Sequence, residues 1–271
     1  MDHQNGNQPY TPYTPPTAET GFVPGAGDDT SFIPGGRIVP AGNAISWISD
    51  AWGLFRQQLV PWLVFGAIYL LLYIVSMYLP AIGSIFFMAV QILLTAGVIY
   101  SCDLLRRKGS FTVSDIFAGF QRKTGPLLIA LLICGAFLFV LMIFVGTFVG
   151  FGAFGAVLSA SGNSSAGIGA IGMGFIAGAL IMFVGCIVYG MAIWFAPALI
   201  LMHDIAPFEA IKMSFSACRK NLLPGIIFFP VAIVLIGISA IPFLLGLLVT
   251  MPIFFICYYT SYQDIFFDKK N

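Results

Sequence analysis

Few side chains in this sequence could carry out acid–base, nucleophilic or metal chemistry. The chain has two histidines, and one of them, His203, stands directly before Asp204, where the pair could contribute to a metal site. A catalytic metal is held by several protein ligands, and too few histidines remain to complete such a set. The sequence also lacks a phosphate-binding loop, a nucleophile elbow and a pair of acids inside an apolar segment. We therefore predict no catalytic residues, no metal site and no cofactor, and we expect that the protein is not an enzyme.

Three aspartates occupy equivalent places, each at the end of a long apolar segment. They are Asp103 in CDLL, Asp204 in HDIA and Asp264 in QDIF. A negative charge at the C-terminus of a helix opposes the helix dipole by roughly 0.3–1 kcal/mol, so three such placements suggest basic partners. The candidate partners are the bases just before the prolines that open the apolar segments, namely Arg56, Arg122, Arg219 and Lys220. We predict a structural clamp of ion pairs between these acids and bases. The alternative is three separately solvated aspartates.

The chain that carries these residues is strongly apolar. Of its 271 residues, 59% are hydrophobic and 8% are charged, and the mean hydropathy is +0.97. Soluble domains carry about 25% charged residues, so this much apolar surface cannot be buried in a soluble core. The net charge of +1 excludes a broadly basic protein that binds nucleic acid. The composition predicts an all-α polytopic membrane protein.

Long segments without ionisable side chains define the predicted membrane spans. No Asp, Glu, Lys, Arg or His occurs in residues 61–101, 125–202 or 221–263. The bilayer core is about 30 Å thick and needs roughly 20 helical residues, so each segment must contain two helices. We predict six transmembrane helices in three hairpins, at 61–79, 81–101, 126–149, 172–195, 224–240 and 243–262.

The basic residues predict the orientation of these spans. With six spans, every basic cluster falls on one side of the membrane, whereas five or seven spans would leave at least one cluster on the other side. By the positive-inside rule, that side is the cytoplasm, and both termini lie there. No cysteine falls in a predicted external loop, so no disulfide is expected.

The first 43 residues differ in composition from the rest. They contain seven Pro and seven Gly, with two similar tetrapeptides, FVPG at 22–25 and FIPG at 32–35. Such a segment buries too little apolar surface to offset the entropy lost on ordering. We predict that residues 1–43 form a disordered cytoplasmic tail and residues 44–271 the six-helix membrane domain. The tail is either a solvated leader or a recognition segment for a cytoplasmic partner.

A short amphipathic helix is predicted before each hairpin. Asn43 can cap the first of these helices, and Thr112 with Asp115 has the spacing of a capping box at the second. The result is three repeat units, at about 44–105, 110–206 and 207–267. Helices of this kind are suited to lie among lipid headgroups. The predicted interfacial anchors are Trp47, Trp52, Phe55, Phe117 and Phe120.

The predicted partners are membrane lipids and copies of the chain itself. Arg106, Arg107 and Lys108 are expected to attract anionic lipid at about 1 kcal/mol per charge. Residues 146–178 contain ten glycines, whose spacing predicts close packing of the third and fourth spans. The same glycines could instead serve a homo-oligomer or a re-entrant element.

Three motifs in this sequence resemble those of a known family. They are RIVPAG at 37–42, W-x-x-x-x-W-x-x-F at 47–55, and D-x-x-P-x-x-A-x-x-x-S-F-x-x-x-x-x-N at 204–221. Over roughly residues 37–267 the chain resembles uncharacterised bacterial inner-membrane proteins with six helices. More distantly, it is similar to the membrane domain attached to some glycerophosphodiester phosphodiesterases. The resemblance implies a bacterial inner membrane but no catalytic residue, because it does not extend to the phosphodiesterase catalytic domain.

Two functions follow from these features. The favoured one is a non-enzymatic membrane-organising or envelope factor, with a cytoplasmic face built from the three interfacial helices. The alternative is a carrier or channel for a lipid or a neutral apolar solute, since hairpins without charges could line an apolar path. A water-accessible polar groove in the bundle would favour the carrier, and a closed core would favour the organising factor.

Overall fold

The chain folds almost entirely into helices, as a computed structural model shows for residues 32–79, 82–159, 164–240 and 246–268. The helices of these described ranges are α1 Asn43–Gln57, α2 Leu59–Met77, α3 Ile82–Lys108, a 3-10 turn at Val113–Phe117, α4 Ala118–Arg122, α5 Thr124–Ser159, α6 Ser164–Ile193, α7 Ala196–His203, α8 Pro207–Lys220, α9 Leu222–Ala240 and α10 Leu247–Phe266. Most of the predicted tail, with the FVPG copy, lies outside the described residues. The predicted all-α class is confirmed for the described ranges.

Five segments within the described ranges are long and apolar enough to cross a bilayer. They are Leu59–Met77, Gly83–Lys108, Thr124–Val157, Ile171–His203 and Leu222–Ser239. Helix α10 has 20 residues, which is sufficient length, but it is not among the five. Its C-terminal half, YYTSYQDIF, contains both aromatic and polar side chains in place of a continuous apolar surface.

The core of the protein surrounds α10. This helix packs against α1, α2, α3 and α9, and its buried residues are spread around its whole circumference. Large aromatic side chains fill the space between these helices, with Trp62, Phe65, Tyr259, Tyr262 and Phe266 among the fully buried ones. By contrast, most of α5 and α9 is exposed, as expected of helices that face lipid. The polar side chains of α10 are therefore shielded by protein.

The hairpin of α5 and α6 is longer than its predicted spans. Helix α5 has 36 residues, or about 54 Å at 1.5 Å per residue, and it continues beyond the predicted end at residue 149. The backbones of α5 and α6 are in contact at Gly174, where an added Cβ would lie 2.7 Å from the carbonyl oxygen of Phe148. Gly146 and Gly150 face open space instead. The predicted close packing is thus found at Gly174 and Gly178 on α6, and not at Gly146 and Gly150 on α5.

The helix of the fourth predicted span, α6, ends at Ile193. After a break at Trp194 and Phe195 the chain continues as a second helix, α7. Proline at position 197 has no backbone N–H and starts a new helix there. The hydroxyl of Ser214, on α8, is inserted into the gap: it donates to the carbonyl of Met191 at 2.7 Å and accepts from the N–H of Phe195 at 3.0 Å. These are the two backbone groups that an unbroken helix would join. A side chain from α8 therefore completes the broken ladder.

The second predicted amphipathic helix begins at the predicted capping box. The N–H of Thr112 donates to the carboxylate of Asp115 at 2.7 Å, but the turn that follows is a 3-10 helix and only then α4. This turn presses against α3, where a Cβ at Gly97 would lie 1.7 Å from the carbonyl oxygen of Ile116. Glycine at position 97 is required by this contact.

Candidate functional site

The ends of α3, α7 and α10 meet at one end of the bundle, which carries the three aspartates and is here called the charged end. Arg106 on α3 donates to the side-chain oxygen of Gln263 on α10 at 3.0 Å. His203, the last residue of α7, shares a hydrogen bond of 2.5 Å with the hydroxyl of Tyr262. The helix ends that carry the three predicted acids are therefore in contact, through residues close to each acid in sequence.

Residues 32–42, which we call the strap, cross the charged end without forming a helix and make a turn at 34–35. Phe32 pairs with Phe267, and the N–H groups of Ile33 and Arg37 donate to the last turn of α10, each at 2.8 Å. On the opposite side, Nζ of Lys220 donates to the carbonyl of Gly35 at 3.0 Å. This part of the predicted disordered tail is therefore packed against the bundle, because its carbonyl and N–H groups find partners on α8 and α10.

The strap can follow this course because of Gly36. Its φ is +69°, in the left-handed region that glycine adopts without strain. A Cβ at this position would lie 2.7 Å from Cγ2 of Ile265 and 3.1 Å from Cβ of Ala217. In the sequence, the FIPG copy of the strap is followed by this glycine, whereas the FVPG copy is followed by Ala26. The two copies therefore differ at the position that allows docking.

Asn221, at the end of α8, fixes the centre of the strap. Its Oδ1 accepts from the N–H of Val39 at 2.9 Å, and its Nδ2 donates to the carbonyl of Arg37 at 2.8 Å. The same Nδ2 also donates to Ala217 at 2.9 Å. The side-chain amide of Asn221 thus binds one backbone N–H and one backbone carbonyl of the strap, as the backbone of a neighbouring β-strand would. Asn221 is buried, so these bonds are shielded from competing water.

Asp264 is the polar centre of the charged end. Its Oδ2 accepts from Nδ2 of Asn43 at 2.7 Å and from Nε1 of Trp47 at 2.9 Å, and its Oδ1 lies 3.2 Å from Nη2 of Arg37. The guanidinium Nε of Arg37 also donates to the backbone carbonyl of Asp264 at 2.8 Å. The side chain of Asp264 is only 5% exposed. A buried carboxylate with donors from the strap and from α1 joins the start of the fold to α10.

The other two aspartates have different surroundings. Asp204 is an exposed residue in the left-handed conformation that ends α7, and it forms an ion pair with Lys123. Asp103 is buried and forms an ion pair of 2.9 Å with Arg107, one turn further along α3. Exposed pairs contribute about 0–1 kcal/mol, so the Asp204 pair adds little to stability.

The bases predicted for the clamp are used mainly elsewhere. Arg122 donates to the hydroxyl of Tyr100 at 2.9 Å, and its guanidinium lies over the Tyr100 ring. The guanidinium of Arg56 lies 5.8 Å from the centre of the Trp52 ring, and Lys220 holds the strap. Arg219 is exposed on the last turn of α8. The ion pairs described above involve Arg37, Arg107 and Lys123, none of which the spacing selected.

The predicted interfacial anchors separate into two groups. Trp47 and Phe55 are buried in the bundle, on the same face of α1 as Ala44 and Ala51. The side chains of Trp52 and Phe120 are exposed, and Phe117 is half-buried. The buried face of α1 packs on α10, and it includes the small residues Ala44 and Ala51, whereas the large Trp52 lies outside it. Only the exposed residues of this set can contact lipid.

His203 is held by aromatic neighbours. The ring of Phe32 stacks on it at a centroid distance of 3.9 Å, and Tyr262 binds its Nε2 from the other side. Across the described ranges, no three side chains of His, Cys, Asp or Glu converge in a way that could hold a metal ion. The structure therefore assigns His203 a role in docking the strap.

Sequence reasoning missed Arg37, Lys123 and Asn221 as structural residues. Two of them stand in the sequence motifs quoted above, Arg37 in RIVPAG at 37–42 and Asn221 at the end of the motif at 204–221. The strap, α1 and α8 thus meet through motif residues. Comparisons with family models, curated proteins and solved structures returned no match to this chain.

Proposed function

We propose that this chain is a multi-pass protein of the bacterial inner membrane that organises the membrane and performs no catalysis. The observation that supports this role is the closure of the charged end. The buried acid Asp264 and the buried amide Asn221 make their hydrogen bonds to other groups of the protein. Polar groups used in this way stabilise one conformation of the helices.

The proposed topology has six spans, with α10 as the sixth. Helix α10 runs beside α2 and α3, both of which are long and apolar enough to cross a bilayer, and it ends at the charged end with α3. A polar helix can cross a membrane when protein surrounds it, because its polar groups then avoid the lipid. The basic residues of the charged end support a cytoplasmic position for this end and for both termini.

The packed core supports the organising role over the carrier. A carrier needs a path between helices, and the space around α10 near the charged end is filled by Trp62, Tyr259 and Tyr262. The proposed surface for lipid is formed by exposed aromatic and basic residues, including Trp52 and Phe120 with Lys108. We also propose self-association through the open glycine face of α5, and a cytoplasmic partner for residues 1–31, as further contributions to this role.

Labelling with a membrane-impermeant maleimide tests the topology. Tyr78→Cys at the end of α2 should react in intact cells, and Lys108→Cys at the end of α3 should react only after the membrane is opened. The wild-type chain, with its native cysteines, serves as the blank. Reaction of position 108 from outside would overturn the orientation.

Purification in native lipid discs tests the role. Mass spectrometry of the disc should find specific proteins or a lipid composition enriched over the surrounding membrane. Discs with bulk lipid composition and no co-purifying protein would contradict an organising function. Uptake of an apolar solute by reconstituted vesicles would instead support the carrier.

A further inference from the structure

An apolar groove of about 270 Å³ lies between α5, α6 and α8. Phe137 lines it from α5, Tyr189 and Ala192 from α6, and Phe215 from α8. Ala192 stands just before the break between α6 and α7, so the groove is in the half of the hairpin nearer the charged end. Under the proposed orientation, this places it at the depth of the cytoplasmic lipid leaflet.

Among the described residues that line this groove, one is basic, Lys212. The side chain of Lys212 contributes to the wall, and its ammonium group is exposed, 57% of the side chain being accessible. The ammonium lies 3.0 Å from Oε1 of Glu209 and 4.7 Å from the centre of the Phe208 ring. An ammonium group has three N–H donors, so the contact with Glu209 leaves donors for another anion. Lys212 combines an apolar stem in the groove with a charge at its edge.

We propose that the groove binds one acyl chain of an anionic phospholipid, with the lipid phosphate at Lys212. The walls offer hydrocarbon and aromatic contacts to a chain, and Lys212 offers the complementary charge to a phosphate. The volume is slightly below the roughly 300–1,000 Å³ of sites for compact ligands, which suits a slender chain. The inference rests on the proposed membrane location and orientation, but not on the organising role.

Two matched pairs of variants separate the chain contact from the charge contact. Ala192→Trp fills the groove, and Ala179→Trp makes the same change at an exposed position of the same helix. Lys212→Gln removes the cation, and Arg219→Gln removes an exposed cation elsewhere on α8. The full chain is placed in discs of equal parts phosphatidylglycerol and phosphatidylethanolamine, released in detergent, and its retained lipids are counted by native mass spectrometry.

The wild-type chain should retain phosphatidylglycerol at least severalfold above its share in the disc. Ala192→Trp should lose this retained lipid, while Lys212→Gln should keep a lipid but lose the preference for phosphatidylglycerol. Both control variants should match the wild type. Equal retention by Ala192→Trp and Ala179→Trp, or equal loss of preference in Lys212→Gln and Arg219→Gln, would overturn the proposal.

Photo-crosslinking gives a second measurement that does not depend on filling the groove. A benzoyl-phenylalanine at position 215 should crosslink lipid enriched in phosphatidylglycerol. The same residue at position 183, an exposed phenylalanine of α6, should crosslink lipid at the disc composition. The same lipid ratio at both positions would contradict the groove. If this result were obtained while the maleimide experiment confirmed the topology, the groove proposal alone would be wrong.

Discussion

The indole nitrogen of Trp47 on α1 lies 2.9 Å from Oδ2 of Asp264 on α10. The backbone carbonyl of Trp47 also accepts a hydrogen bond from Oγ1 of Thr260 at 2.9 Å. Both the side chain and the backbone of this tryptophan are thus bound to the same helix. The bond makes α1 an integral part of the core, with one face in the bundle and the opposite face, including Ile45, exposed.

Replacing Asp264 with asparagine should lower the stability of the whole bundle. Asparagine replaces one carboxylate oxygen, an acceptor, with an NH₂ group, which is a donor. That donor would face the N–H groups of Trp47, Asn43 or Arg37, which need an acceptor. A buried group left without its partner costs about 1–3 kcal/mol, so the melting temperature in detergent should fall by several degrees. The control is Asp268→Asn, which removes an exposed carboxylate 3.5 Å from the same Arg37. A similar fall in both variants would show that the burial of Asp264 is not important.

Replacing Ser214 with alanine should weaken the junction of α6, α7 and α8. The substitution leaves the carbonyl of Met191 and the N–H of Phe195 without the hydroxyl that joins them. We expect a loss of about 1–3 kcal/mol in the free energy of unfolding, measured by chemical denaturation. Ser216→Ala, on the same helix at a half-buried position, is the control and should have a small effect. Unchanged stability in Ser214→Ala would mean that water replaces the hydroxyl.

Replacing Gly97 with alanine should prevent the 3-10 turn from packing on α3. The added Cβ would lie 1.7 Å from the carbonyl oxygen of Ile116, which is closer than any non-bonded contact allows. A large shift of the backbone is then required, so the yield of monodisperse protein on size-exclusion chromatography should fall sharply. Gly135→Ala, on α5 where a Cβ meets no atom within 4 Å, should behave as wild type. Normal yield and melting temperature in Gly97→Ala would contradict this contact.

The thiol of Cys218 should react slowly with alkylating reagents even in mildly alkaline solution. Burial raises the pKa of Cys218 to about 12, and the thiolate is the reactive form. A raised pKa keeps the thiol protonated at neutral pH, and its reactivity should appear only as the pH approaches that value. A Ser114→Cys variant provides an exposed thiol in the same molecule for comparison. Peptide mapping by mass spectrometry then measures the alkylation of each cysteine. Equal alkylation of positions 114 and 218 at pH 8 would contradict this prediction.

The starts of helices and the all-α class could be predicted from the sequence because they depend on local chemistry. Asn43 is the first residue of α1 and not its cap, because its side chain binds Asp264, whereas the pair Thr112 and Asp115 forms the expected capping contact. These features arise from residues within a few positions of one another. The absence of charges over long segments similarly indicates helices able to cross a membrane, whatever their packing.

The packing of these helices could not be predicted because it depends on distant residues. Trp52 and Phe55 are both predicted interfacial anchors, but Phe55 is buried on the same face of α1 as Ala44 and Ala51. Small residues such as Ala44 and Ala51 allow α1 to approach α10 closely. A prediction of the buried face from the most hydrophobic side chains gives little weight to alanine. The spacing likewise predicts that Asp264 pairs with a base just before a proline, whereas Arg37, which binds it, is 227 residues away in sequence.

The contacts that the strap and α1 make with α10 have a consequence for the order of events during synthesis. Trp47 leaves the ribosome 217 residues before Asp264 does, which corresponds to roughly 10–40 s at common rates of translation. During that interval the donors of Arg37, Asn43 and Trp47 have no carboxylate to bind, and α1 has no α10 to cover its buried face. The nascent chain must therefore hold its first helices in an open arrangement, accessible to the insertion machinery, until α10 arrives and closes the bundle.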